Sequence, residues 1–257
     1  MTSAEITRVT AIFFSLLIVL FGLSRWPGLY RIREEYRRKT LHLAAGILAI
    51  GLPLLFARAA PVLFLCGAVF AALVALRFSA RRIYDADRFS YGELCIPVAV
   101  AFLFVAAGRD AVGYYVPLTV FTLADSVAAL AGQRLPRKRI GVFTGDKTVA
   151  GSVSFFVVAL LVTLGGLALF ARDVSGKSFA IASIVALDLT VVEALCGYGL
   201  DNLLIPVVGF FLLQHLNDAG EPGMVIHFAI AGGLAALLTL QTSPGSALSS
   251  LWKRGVR

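Results

Sequence analysis

Long apolar runs separated by short polar clusters occupy nearly the whole chain. The runs cover about 8–24, 41–57, 60–77, 94–108, 112–132, 150–171, 178–196, 202–216 and 223–241. Most approach the ~20 residues a helix needs to cross a hydrocarbon core. The pattern predicts an all-α, polytopic integral membrane protein with about nine transmembrane helices. The runs at 94–108 and 202–216 are short, which suits tilted, re-entrant or interior helices. No internal repeat or low-complexity linker interrupts 1–257, which reads as a single transmembrane domain.

Composition strengthens this picture. Apolar residues make up 59% of the 257 positions, against roughly 45–50% in ordinary soluble domains. Mean hydropathy is +0.87. A soluble core this apolar would leave no surface for water to solvate. The net charge of +8 sits in clusters between the apolar runs. Such placement points to membrane topology and anionic headgroups, not to nucleic acid. Cys66, Cys95 and Cys196 fall in or beside apolar segments with no metal or disulfide spacing, and read as buried structural thiols.

The basic residues orient the chain. The first run, Val9 to Leu23, lacks a strongly basic leading segment and a clean cleavage site, and reads as a membrane anchor with its N-terminus outside. The inner segments are then 25–40, 78–93, 133–149, 197–201 and the tail 242–257. Of the 23 Lys and Arg residues, only Arg8, Arg58, Arg109, Arg172 and Lys177 fall outside, leaving 18 in or bordering the inner segments. Positive charge concentrates on cytoplasmic loops, so the C-terminus is expected in the cytoplasm. The expected location is a bacterial-type plasma membrane, with the polar clusters on the cytoplasmic face, where nucleotides are.

Five clusters carry candidate chemistry. Arg38 and Lys39 precede His42 at the entry to the second run. On a helix Arg38 and His42 share a face. Snorkelling basic residues are the plain explanation, but His42 lies inside the apolar run and suits a phosphate donor or a residue supporting one. Arg88, Tyr91, Gly92 and Glu93 precede the fourth run. Glu93 there caps a helix or pairs with Arg88, or the loop walls a headgroup-level pocket with Tyr91 and Glu93 as substrate contacts.

Asp125 interrupts an apolar run and is followed by Ser126, Ala128, Ala129 and Gly132. An acid at membrane depth needs a partner. Either a basic side chain pairs with it, or it ligates Mg²⁺ or takes a proton from a substrate hydroxyl. Next come Gly145, Asp146, Lys147, Thr148, Gly151 and Ser152, which open another apolar run. Lysine, glycine and hydroxyls at a helix N-terminus suit phosphate, although the Walker A order is absent and a capped helix start explains the same residues. Finally, Glu193 sits near a membrane boundary, followed by Asp201 and Asn202, either of which can cap the next helix. Asp188 lies on a different face and ranks below Glu193. His215 and His227 read as structural or interfacial.

Taken in order, Arg38-Lys39-x-x-His42, Asp125 with Gly132, Lys147-Thr148-x-x-Gly151-Ser152, and Glu193 with Asp201-Asn202 resemble the polyprenol kinase family of integral membrane enzymes. That family includes dolichol kinase, phytol kinase and CTP-dependent diacylglycerol kinase. The resemblance covers roughly 30–215. Ala124-Asp125 stands where members often have Gly-Asp, and Lys147-Thr148 where they often have Lys-Ser. The family is distantly similar to CDP-diacylglycerol synthases, whose acidic, glycine-rich C-terminal run is missing here.

The resemblance implies phosphoryl transfer from a nucleoside triphosphate, with CTP the expected donor, to the hydroxyl of a lipophilic alcohol: phytol, a polyprenol or dolichol, or diacylglycerol. It places the catalytic region mainly in 35–45 and 121–205. Asp125, Lys147, His42 and Glu193 are the expected catalytic residues. Arg38, Lys39, Gly132, Lys147, Thr148, Gly151 and Ser152 are expected on the nucleotide, and Asp125, Glu193 and Asp201 on Mg²⁺. Asn202, Glu93 and Tyr91 are expected on the acceptor, with Asp125 or Asp201 as the base. A phosphatidate cytidylyltransferase is the alternative enzyme. A transporter would place its acids near the midplane within paired repeats, whereas these clusters bunch at one face. Oligomeric state is not encoded in any motif.

Overall fold

The computed structural model describes residues 1–25, 34–79, 91–135, 139–140, 147–218 and 233. Among these the chain forms eight α-helices and one minimal strand pair. They are α1 (Ser3–Arg25), α2 (Glu34–Leu55), α3 (Ala59–Ser79), α4 (Gly92–Ala107) and α5 (Ala111–Arg134), followed by α6 (Val149–Gly166), α7 (Gly176–Leu195) and α8 (Asp201–Asp218). A π-helical turn, Leu167–Ala171, extends α6. Strands β1 (Arg139–Ile140) and β2 (Lys147–Thr148) pair antiparallel, with Arg139 opposite Thr148.

Five helical stretches are long and apolar enough to cross a membrane: Arg38–Leu55, Ala59–Arg77, Ala111–Arg134, Val149–Ala171 and Gly176–Leu195. The short fourth run forms a helix of 16 residues, α4. The expected ninth run, 223–241, lies outside the described residues, as do Arg88, Arg137, Lys138, Gly145, Asp146 and His227. The second helix starts earlier than its apolar run, at Glu34 instead of 41. Glu, Arg and Lys are good helix formers, so the basic cluster before the run is helical. Lys39 and His42 are therefore fixed on a helix and do not belong to a loop.

The helix starts are set locally. The Thr148 side chain caps α6 by accepting from the Gly151 N–H at 3.1 Å. Ser175 caps α7 by accepting from the Ser178 N–H at 3.3 Å. Asp173 accepts from the Ser178 and Ser175 hydroxyls, and those bonds hold its carboxyl below the usual range. Before α8 the chain reverses through Tyr198 (φ 57°) and Gly199 (φ 83°), a left-handed pair in which only the glycine is unstrained.

Helix α5 is the hub, packing on α6, α2, α8 and α4. Around it α1 meets α3, α3 meets α4, α4 meets α8, α8 meets α7 and α7 meets α6. The apolar stretches of α5 and α7 are each 56% buried, whereas those of α2, α3 and α6 are 22–28% buried. The first two are thus interior helices and the others form the wall. Small residues allow close crossing: Gly46 of α2 sits against Thr122 of α5, and Gly166 against Val116. Phe121, Phe155, Leu118, Ile184 and Leu189 fill the centre. Leu54, Phe64, Leu161, Leu169 and Phe211 point outward, an apolar exterior that suits lipid.

Candidate functional site

At one end of the bundle, five elements bring ionised side chains together. Asp125 faces inward from the second half of α5 and is buried. Its Oδ2 accepts from the Lys39 Nζ of α2 at 2.5 Å. His42, one turn along α2, places Nε2 at 3.4 Å from the same oxygen and at 3.3 Å from the Phe121 carbonyl oxygen. The His42 ring lies edge-on to Phe121, with centroids 4.4 Å apart. Phe121 was not singled out from the sequence. It lies four residues before Asp125, on the same helical face, and that spacing is the signal that reveals it.

The second half of the cluster is centred on Lys147. Its ammonium donates to Glu193 Oε1 of α7 at 2.6 Å and to Asp201 Oδ2 of α8 at 3.0 Å. Ser152 of α6 donates its hydroxyl to Glu193 Oε2 at 3.3 Å. Burial opposes the charge on Lys147, but the carboxylates of Asp201, Glu193 and Asp125 outweigh it and raise the pKa above that of an ordinary lysine. Lys147 is therefore a fixed cation throughout the neutral range. Because Asp125 acts on Lys147 across the gap, the two halves form one electrostatic unit. It holds three carboxylates against two ammoniums.

Several of the expected residues pair with one another in this geometry. Arg38 is exposed, while Lys39 and His42 are buried. The inward-facing pair on α2 is therefore Lys39 with His42, not Arg38 with His42. Asp125 has a lysine partner, so its burial is satisfied without a metal ion. Thr148 Oγ1 accepts from the Gly151 N–H and so caps α6, and the Ser152 hydroxyl donates to Glu193. Among the described residues, no group of three or more His, Cys, Asp or Glu is placed to hold a metal ion. The set Asp125, Glu193 and Asp201 is split between two lysines. Glu193 and Asp201 both face the Lys147 ammonium.

The remaining expected residues border this end. Asn202 is buried and donates its amide to the Gly92 carbonyl oxygen at 2.8 Å, tying α8 to α4. The Tyr91 N–H donates to the Tyr198 carbonyl oxygen at 2.8 Å, joining the same two segments. Tyr91 is exposed and stacks under Arg77, whose guanidinium carbon is 5.5 Å from the ring centroid. Glu93 is exposed in the first turn of α4. Cys66 and Cys95 are buried and Cys196 is half-buried, each a free thiol.

Gly132 and Gly151 allow the close approach of α5 to the start of α6. A Cβ on Gly132 would lie 2.6 Å from Thr148 Oγ1, and one on Gly151 would lie 3.0 Å from the Ala128 carbonyl oxygen. Gly132→Ala therefore displaces the capping hydroxyl, worth about 1 kcal/mol, and lowers the melting temperature despite alanine's better helix propensity. In a Thr148→Ala background the same substitution becomes neutral or stabilising. Melting all four proteins of this cycle checks it.

Comparison with protein-family models, with curated proteins and with solved structures yields no match to this chain.

Proposed function

We propose that the protein transfers the terminal phosphoryl group of a nucleoside triphosphate to the hydroxyl of a lipophilic alcohol. CTP is the expected donor, and the site works at the cytoplasmic membrane face. The convergence of Lys39, Asp125, Lys147, Glu193 and Asp201 at one end of the bundle carries this reading. These residues come from five separate elements of the chain. Phosphoryl transfer asks for positioning and charge neutralisation more than for covalent help from the protein. Two rigidly held ammoniums beside carboxylates supply both.

In this reading Lys147 and Lys39 neutralise phosphate oxygens. Asp125 receives the alcohol's proton as the new O–P bond forms and the bond to the departing nucleoside diphosphate breaks. Lys39 and His42 both contact Oδ2 of Asp125, which orients the carboxylate and leaves Oδ1 toward the hydroxyl. Glu193 and Asp201 would hold Mg²⁺, which supplies further charge neutralisation on the phosphates. The acceptor's hydrocarbon tail lies among the apolar helices, with its hydroxyl at the boundary.

The position of the label tests this chemistry against nucleotidyl transfer to phosphatidate. Purified protein with Mg²⁺ is given CTP labelled at either the γ- or the α-phosphate, with a panel of alcohols and phosphatidate. Label reaching lipid from γ-labelled CTP alone is the expected result. Label reaching lipid from α-labelled CTP, with pyrophosphate released, assigns the cytidylyltransferase instead.

A further inference from the structure

Between α7 and α8 a tyrosine stands where the backbone favours glycine. Gly197 to Leu200 form a tight turn, closed by the Leu200 N–H donating to the Gly197 carbonyl oxygen at 3.1 Å. Its two central residues, Tyr198 (φ 57°) and Gly199 (φ 83°), are both left-handed, a conformation such turns give to glycine, asparagine and aspartate. A bulky side chain there strains the backbone, and strain of this kind points to a function for the residue that bears it. The ring is turned outward, with Tyr198 63% exposed. Tyr91, 44% exposed, lies beside it, because the Tyr91 N–H donates to the Tyr198 carbonyl oxygen at 2.8 Å. Leu200 and Leu204, one turn apart, are exposed as well.

We infer that Tyr91 and Tyr198 anchor this end of the bundle in the headgroup layer of a lipid bilayer. Two span boundaries place them there. The apolar span of α3 ends at Arg77, which stacks on the Tyr91 ring, and that of α7 ends at Leu195, three residues before Tyr198. The two tyrosines therefore sit where helices leave hydrocarbon for water. Tyrosine suits that layer, since its ring is apolar and its hydroxyl seeks a polar partner. Leu204, one turn into α8, carries the exposed apolar surface on toward the hydrocarbon. The turn also joins Glu193 to Asp201, which share Lys147, so the anchor sets the depth at which the charged cluster meets the membrane. This role does not depend on the phosphoryl-transfer reading.

The test reads where each ring sits. In separate preparations of the full chain, a single fluorotyrosine replaces Tyr198, Tyr91 or Tyr114, a change of one ring hydrogen that keeps the fold. Tyr114 is the reference, because it is buried and its hydroxyl donates to the Ala49 carbonyl oxygen at 2.7 Å. Each protein is reconstituted in vesicles of phosphatidylcholine and phosphatidylglycerol. Fluorine relaxation is then measured with a nitroxide on the lipid headgroup, high on the acyl chain, at the chain end, or dissolved in the water. Both Tyr91 and Tyr198 are expected to respond most to the headgroup or upper-chain nitroxide, at least roughly threefold more than Tyr114 does. A strongest response to the water-borne nitroxide at either ring overturns the inference, leaving that ring open to a nucleotide base or a protein partner. A strongest response to the chain-end nitroxide overturns it by placing the ring in hydrocarbon. A response that falls short of the threefold margin over Tyr114 overturns it by showing the ring covered by protein.

Discussion

Asp125→Leu unfolds at markedly lower temperature than wild type, and adding Lys39→Met restores most of the loss without restoring activity. The two charges share a 2.5 Å contact, with side chains only 10% and 5% exposed. Deleting one partner of a buried pair strands the other and costs about 3–5 kcal/mol, whereas replacing both with apolar groups is often neutral or better. Stability thus follows the pairing and activity follows the carboxylate. Asp125→Asn separates the two further. The amide oxygen still accepts from Lys39 but cannot take a proton, so transfer falls at least roughly a hundredfold. Thermal unfolding in detergent and the transfer assay, run on the same samples, give both readouts. Near-normal turnover by Asp125→Asn removes Asp125 from the chemistry.

Lys147→Met has the second large effect. It leaves Glu193 and Asp201 without the cation that both contact, at 2.6 and 3.0 Å. Lys147 is 22% and Asp201 13% exposed, so water relieves part of the strain and the stability loss is smaller than at Asp125. On the phosphoryl-transfer reading, function is expected to suffer more, with nucleotide binding lost along with the ammonium proposed to hold the phosphates. The pH dependence has a definite sign. The folded pKa of Lys147 is raised, so its contribution is complete below the unfolded value near 10.5 and lost only as pH climbs through the folded one. The gap in melting temperature between wild type and Lys147→Met therefore does not close between about pH 7 and 9. A gap that closes within that range contradicts the placement of Lys147 between two carboxylates.

Much of the helical plan was legible because each long apolar run must become a helix where backbone groups cannot reach water. The start of α2 was not. Its first turns are charged, so hydrophobicity alone put the boundary late, and the helix-forming character of Glu34, Glu35, Arg37 and Arg38 decides it. Asp125, Lys147 and Glu193 stood out because charge in an apolar setting is costly. Which residue pairs with which did not, since Lys39 and Asp125 are 86 positions apart and only the α2–α5 crossing makes Lys39, instead of Arg38, the residue that turns inward.

The central claim is that the paired-lysine cluster on α2, α5, β2, α7 and α8 moves a phosphoryl group onto a lipid. The most direct test is recovery of γ-label in the lipid fraction from purified wild type and Lys147→Met, each given γ-labelled CTP, Mg²⁺ and the alcohol panel. The account predicts a labelled lipid monophosphate from wild type and none from the variant. No labelled lipid from wild type with any alcohol, or equal labelling by the two proteins, contradicts it.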